Sequence, residues 1–280
     1  MEYIGRVSPN KEPFNNWTVT MPIPIFQLDA FATRRFEGNP AAVNLLDAYP
    51  GDAVLQALAA ENNLSETAFL VRQGEDYLLR WFTPRVEVPL CGHATLASAA
   101  VVMERLEPGR QHVSFHTASG TLTVRRAGAS RYTLNFPVRR CTTVSAPGLA
   151  DALGAQPIEV AHDGFNYVAR LADEASVRAL APDMNAIAGL PVAGVIVTAP
   201  AASPYDIVSR YFAPAKGIPE DPVTGSAHCS LADFWSARLD RTELRAWQAS
   251  ERGGEVLVRL LGERVELEGS CVFYMQGDLC

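Results

Sequence analysis

Apolar and polar positions along the chain switch between two periods. In MPIPIFQLDAFA the residues from Ile23 to Phe31 alternate as on a half-buried strand, whereas residues 1–20 follow neither period and read as an N-terminal extension. Downstream, GDAVLQALAAENN predicts a helix, SETAFLV and YLLRWFT predict strands, and GHATLASAAVVMERL predicts a long helix that is apolar nearly all round. Three further strands, HVSFH, TLTVRR and YTLNFP, close a first half near Pro137. The second half uses the same kinds of element. FNYVARL reads as a strand, SVRALAPDMNAIAGL as helical segments, and GVIVTA and DIVSRYFAP as strands. GSAHCSLADFWSARL is again a long apolar helix, followed by EVLVRLL, RVELE and CVFYM as closing strands.

The halves also echo each other residue by residue. Arg80-Trp81-Phe82-Thr83-Pro84 returns as Arg210-Tyr211-Phe212-Ala213-Pro214, and downstream of each a glycine opens the apolar helix, Gly92-His93-Ala94 and Gly225-Ser226-Ala227. An internal repeat reports architecture ahead of any single motif. The prediction is an α+β fold of two pseudo-symmetric lobes, residues 21–137 and 138–280. Each is a mostly antiparallel sheet or barrel wrapped around a central apolar helix, with the last strand able to cross back to the first lobe. The start of a buried helix has N–H groups without intrahelical acceptors and carries about half a positive charge. Two such starts related by a pseudo-twofold axis would face one cleft and suit a carboxylate there.

Composition narrows the partner. The chain has 280 residues, 48% hydrophobic and 20% charged, enough to bury one large core or two smaller ones. A net charge of −7 with no long basic run leaves no electrostatic footprint for nucleic acid or an anionic membrane, so a small-molecule partner is expected. No stretch approaches ~18 uninterrupted apolar residues, and the N-terminus lacks a basic segment followed by an apolar one, so neither a membrane span nor a secretory signal is expected. Five scattered cysteines, Cys91, Cys141, Cys229, Cys271 and Cys280, read as free thiols of a reducing, cytoplasmic compartment.

Four residues then stand out. Glu66 in NNLSETAF is a surface carboxylate on its plainest reading. The apolar run from Ala68 and Phe69, however, puts it at the inner end of an element, where partial burial raises a carboxyl pKa and suits it to carry a proton. His93 lies in the first turn of an apolar helix, as a structural cap or as an acid/base group, and Ser226 holds the parallel position. Asp221 precedes Pro222, which keeps it extended and outside the helix, as a turn former or as a cleft residue.

DAF at 29–31, EGNPAAV at 37–43, NLSETAFL, RWFTP, LCGHATLA and EDPVTGSAH, in this order and spacing, resemble the phenazine-biosynthesis PhzF-like isomerase family from about Met21 to the C-terminus. The resemblance implies the diaminopimelate-epimerase-like fold with its site between two lobes. It implies that Glu66 is the general acid/base, taking a proton from an sp³ carbon and returning it elsewhere on a conjugated system. His93, Asp221 and Ser226 would hold the substrate and assist proton movement. Gly92 and Gly225, with Ala94 and Ala227 beside them, match helix openings whose backbone donors receive the substrate carboxylate. Asn39, with Gly38, is expected in a cleft-edge turn that touches the substrate. No cofactor and no metal are implied; the partner is a small carboxylate-bearing, unsaturated acid, and a homodimer is expected.

The residues also bear on rival chemistries. A thiol-pair racemase of the same fold needs a cysteine opposite Cys91, where Thr224 stands; Cys91 then reads as a small buried apolar residue. A pyridoxal enzyme needs a Schiff-base lysine, and the lysines are Lys11 and Lys216. Zinc on Cys91, His93, His228 and Cys229 would require adjacent helical residues, ~100° apart, to share one ion. No hydrolase elbow or nucleotide fingerprint occurs. A non-catalytic binding protein on the same fold is the remaining alternative.

Overall fold

The structure, a computed structural model, describes residues 22–280, so the extension expected at 1–20 lies outside the described residues. The first half runs β1 (Ile23–Ala30), β2 (Asn39–Leu46), α1 (Asp52–Asn62), β3 (Glu66–Gln73), β4 (Asp76–Phe82), β5 (Glu87–Val88), α2 (Gly92–Val101), β6 (His112–Thr117), β7 (Gly120–Arg126) and β8 (Arg131–Pro137). The chain goes on through β9 (Thr142–Thr143), α3 (Leu149–Leu153), β10 (Glu159–His162), β11 (Asn166–Arg170), α4 (Glu174–Arg178) and α5 (Met184–Ala188). It ends with β12 (Gly194–Pro200), β13 (Ile207–Phe212), α6 (Gly225–Leu239), β14 (Glu243–Gln248), β15 (Gly254–Leu261) and β16 (Arg264–Leu279). Among the described residues no helix is long and apolar enough to cross a membrane.

Strands β1-β2-β3-β4-β6-β7-β8-β16 are hydrogen-bonded in that order, and β16 returns to β1, closing a ring. From β16 the ladder continues through β15-β14-β13-β12-β11-β10-β9 as the second sheet. The two sheets repeat one topology. β2–β3 and β4–β6 are parallel in the first, and β11–β12 and β13–β14 are parallel in the second. The register matches as well, since Thr67 faces Phe82 as Val195 faces Phe212. By that correspondence Gly194 is the counterpart of Glu66. The repeated arginines make the same contact: Arg80 forks onto both oxygens of Glu87, and Arg210 onto both oxygens of Glu220. Of the two carboxylates in EDPVTGSAH, Glu220 is thereby a structural partner.

Each central helix is buried because no face of it is polar enough to meet water. In α2 every residue from His93 to Val101 is buried, and α6 buries Leu231, Phe234 and Trp235. At roughly 1.5–3 kcal/mol for each fully buried large apolar side chain, these helices anchor their sheets. The Trp235 indole N–H donates to Thr198 Oγ1 at 3.0 Å, so burial leaves no orphaned donor there.

Some elements differ from the sequence expectation. The helix expected over 92–106 is α-helical to Val101 and finishes in a π-helical turn, Val102–Leu106. SVRALAPDMNAIAGL resolves into two short helices, the second capped by Asp183, whose side chain accepts from the N–H groups of Asn185 and Ala186. RVELE and CVFYM are one 16-residue strand, which pairs with β15 and β8 early and with β1 late. β2 and β14 lie where no strand was expected.

The DAF and EGNP stretches latch the lobes. Arg252 donates to Asp29 at 2.7 Å and to the carbonyls of Glu37 and Gly38. Gly38 has φ +67°, and a Cβ there would stand 2.2 Å from the Ala30 carbonyl oxygen, so only glycine fits. The ring of Phe31 fills the space that a Cβ on Gly269 would need.

Candidate active site

The starts of α2 and α6 meet. A Cβ built on Gly92 would stand 3.8 Å from Cα of Gly225, and one built on Gly225 would stand 3.9 Å from Cα of Gly92. The residues before them, Cys91 and Thr224, are extended, and neither side chain caps its helix. Two helix N-termini, each with partial positive charge, therefore converge where an anion would be stabilised. In the first turn of α6 the Ala227 N–H already donates to the Thr224 carbonyl at 3.2 Å. In both helices the side chain four residues beyond the cap closes on the cap carbonyl. Thr95 Oγ1 donates to Cys91 O at 2.5 Å, and His228 Nδ1 donates to Thr224 O at 2.8 Å.

Glu66 is the first residue of β3, held opposite Ala41 of β2 by the parallel ladder. Its side chain is 12% exposed, and Oε2 lies 3.3 Å from Nε2 of His93. Burial pushes its carboxyl up to about 8; the charge of Asp221 adds to the rise, and the neighbouring Cys91 thiol opposes it. Burial pushes His93 down to about 3, so its ring is neutral across the range in which Glu66 titrates.

Asp221 is buried ahead of Pro222, with its N–H on the Tyr211 carbonyl at 3.0 Å. Its carboxylate accepts from Asn39 Nδ2 at 2.7 Å and from Thr224 Oγ1 at 2.5 Å. Burial pushes Asp221 up to about 6, with the Thr224 and Asn39 hydrogen bonds limiting the rise. Asp221 thus ionises before Glu66, and its charge then helps keep the proton on Glu66. Gln248 braces this corner, donating to Asp221 O at 2.7 Å and accepting from the Thr224 N–H at 2.8 Å.

Glu66, His93, Asp221, Gly92 and Gly225 are brought to one place, and Ser226, half-buried, follows Gly225 in the first turn of α6. Asn39 departs from its expected place in a cleft-edge turn. It is fully buried at the start of β2, and its amide reaches Asp221 and the Val223 carbonyl of the other lobe. Three participants were given no role in the site by the sequence reading. Cys91, Thr224 and Gln248 each touch an ionisable group or its backbone. Cys91 and Thr224 carried a signal, since both precede the helix-opening glycine; Gln248 carried none.

Among the described residues, Glu66, Cys91 and His93 form a cluster whose metal-capable atoms lie within 4.8 Å of one another. The imidazole presents Nδ1 to the thiol at 3.5 Å and Nε2 to the carboxyl at 3.3 Å. A cation could use only one of those nitrogens at a time.

The phenazine biosynthesis-like protein family model matches residues 28–277. An uncharacterized isomerase of Pseudomonas aeruginosa is 50% identical over 260 residues, covering 92% of this chain and 99% of that one. The crystal structure of a PhzF-family phenazine biosynthesis protein from Enterococcus faecalis superposes with a TM-score of 0.89 at 41% identity, covering 93% of this chain and all of that one (100%). A predicted epimerase of Pseudomonas aeruginosa, at 23% identity and a TM-score of 0.71 over 91% of this chain and 98% of that one, shares the fold. With the matched model, the close relative and the superposed fold in agreement, the chain belongs to the phenazine biosynthesis-like (PhzF) family of isomerase-like proteins.

Proposed function

We propose that the protein is an isomerase that moves a proton between carbons of a small, carboxylate-bearing unsaturated acid, with Glu66 as the proton carrier. One observation carries this reading. Glu66 is a buried carboxyl whose Oε2 has no hydrogen-bond partner, set beside two converging helix starts that side chains leave uncapped. A group that had only to stabilise the fold would be paired or absent at such a position.

The steps follow from the charges. The substrate carboxylate binds at the helix starts, where backbone N–H groups and the Ser226 hydroxyl supply donors. Ionised Glu66 takes a proton from an sp³ carbon, leaving a dienol or enamine whose developing negative charge the same donors stabilise. Glu66, now protonated, returns the proton to a different carbon of the conjugated system. A pKa near 8 suits both directions of transfer. Asp221 and neutral His93 tune and orient that carboxyl.

A thiol-pair mechanism is disfavoured. The Thr224 hydroxyl is committed to Asp221, and burial holds the Cys91 thiol well above its ordinary value. The test is a carbon-bound deuterium exchange screen of unsaturated and amino acids in D₂O, read by NMR. Incorporation that depends on Glu66 supports the isomerase; incorporation unchanged in Glu66→Gln overturns it.

A further inference from the structure

Arg85 and Lys216 occupy matching loops. Each lies just past the echoed arginine-aromatic-phenylalanine stretch, and each loop is pinned at its far end by a forked ion pair, Arg80 on Glu87 or Arg210 on Glu220. The two loops touch across the lobes, since a Cβ built on Gly217 would stand 3.5 Å from Nη1 of Arg85. Both cations are exposed, and among the described residues neither side chain has a hydrogen-bond partner or a carboxylate within 4.0 Å. Every other arginine among the described residues has one or the other. A chain of net charge −7 has carboxylates to spare, yet two like charges sit side by side with none between them. Such a patch draws in an anion. We propose that Arg85 and Lys216 form a second anion subsite of the cleft, and that the substrate is a dicarboxylate, with one carboxylate at the helix starts and the other between these two cations. This rests on the reading of the cleft as an isomerase site and names the substrate class it takes.

The pair adjoins the proton-transfer centre. Lys216 ends the 3₁₀ turn Pro214–Lys216, shortly before Asp221, and its ammonium and the Asp221 carboxylate feel each other's charge. Asp221 does not neutralise it, because the Asp221 oxygens already accept from Asn39 and Thr224. Arg139 adds a third positive charge within reach of Lys216. Its guanidinium stands 4.0 Å from Asp163, too far for a hydrogen bond, and donors from Phe165, Asn166 and Ser230 already fill that carboxylate.

The loops favour a carboxylate over a phosphate. Phosphate sites commonly use a nest of free backbone N–H groups. Here the N–H groups of Lys216, Gly217 and Ile218 donate to the carbonyls of Ala213 and Pro214, and those of Arg85 and Val86 donate to Thr83 Oγ1. Side chains alone are left to bind. A planar guanidinium grips both oxygens of a carboxylate, and a flexible ammonium closes on it from the other loop.

The test is charge selectivity in the full chain, measured by isothermal titration calorimetry. Two dicarboxylates of different length, glutaconate and hex-3-enedioate, are compared with vinylacetate and pent-3-enoate, which differ from them by lacking the second carboxylate. At one length or the other, wild type should bind the dicarboxylate about tenfold or more tightly than its monocarboxylate, the range for a hydrogen bond to a charged group. That ratio should fall part of the way in Arg85→Gln and in Lys216→Gln, approach one in the double variant, and be kept in Lys216→Arg. It should also shrink as salt is raised. A wild type with no preference for the dicarboxylate at either length, including one that binds none of the four acids, overturns the proposal. So does a ratio unchanged in the double variant. Deuterium exchange into the acids reads Glu66 separately. Exchange that survives Glu66→Gln would sink the proton-carrier reading and leave the charge selectivity standing, whereas Glu66-dependent exchange without charge selectivity would sink the subsite alone.

Discussion

The starts of α2 and α6 share one backbone and carry different chemistry. Cys91-Gly92-His93-Ala94 aligns in the repeat with Thr224-Gly225-Ser226-Ala227, and both helices fold a side chain back onto the cap carbonyl. The acid/base equipment is one-sided. The first lobe brings Glu66 on β3, whereas its counterpart on β12 is Gly194, where a Cβ would stand 2.6 Å from the Tyr211 hydroxyl. The second lobe instead supplies Asp221 and Ser226. A pair of bases on opposite faces suits inversion at one carbon; a single base on one face suits carrying a proton from one carbon to the next. On the proposed mechanism the difference between the lobes would set the kind of reaction, and their likeness the proposed anion site.

The largest expected effect separates the lobes directly. Glu66→Gln should lower proton exchange by about 10²- to 10⁴-fold, the range for losing a general acid/base, with the fold retained in far-UV circular dichroism. A comparable loss in Ser226→Ala alone would break the comparison by giving the second lobe an equal share.

Stability against pH comes next. The folded-state value of Glu66 is raised to about 8 from 4.5, so the stability it contributes is fully present below pH 4.5 and is lost as pH rises through about 8. Asp221, raised to about 6, follows the same direction at lower pH. His93 and His228, pushed down to about 3 and about 4 from 6.5, act oppositely, with stability lost as pH falls below 6.5. Between pH 6.5 and 8 the Glu66 trend stands out, and urea unfolding should show wild type losing about 2 kcal/mol relative to Glu66→Gln. Parallel curves for the two proteins would contradict the buried-carboxyl account.

Asp221→Asn sharpens the coupling between lobes. It removes the like charge beside Glu66, so the acidic limb of the pH–rate profile, along which activity rises as Glu66 ionises, should move to lower pH. An unmoved limb would assign the whole rise to burial. The smallest effect is Ser226→Ala, where loss of one hydrogen-bond donor should cost about tenfold or less in kcat/KM.

Much of this was legible in the sequence because it was repeated. The arginine-aromatic-phenylalanine echo and the two glycine-opened apolar helices pointed to paired lobes, and the structure gives both arginines the same forked carboxylate. Other features were hidden for physical reasons. β2 opens Asn39-Pro40, a pair that reads as a turn, yet Asn39 is buried there because Asp221 from the other lobe takes its amide. β14 is six residues long and carries Glu243 and Arg245 on its outer face, so its apolar signal is thin. Cys91 read as filler because its burial is visible in the pattern, whereas its contact with His93 depends on how the ring two residues on turns back within the first turn. The role of Gln248 depends on a strand more than twenty residues downstream of Asp221 and Thr224, and no local pattern encodes it.

The most direct measurement is a ¹³C NMR titration of the Glu66 side-chain carboxyl in the full chain, beside Asp221→Asn. The account predicts a midpoint near 8 in wild type, moving lower when the Asp221 charge is removed. A midpoint near the ordinary value of 4.5 in wild type would contradict it, because Glu66 would then be a solvated anion with no reason to hold and return a proton.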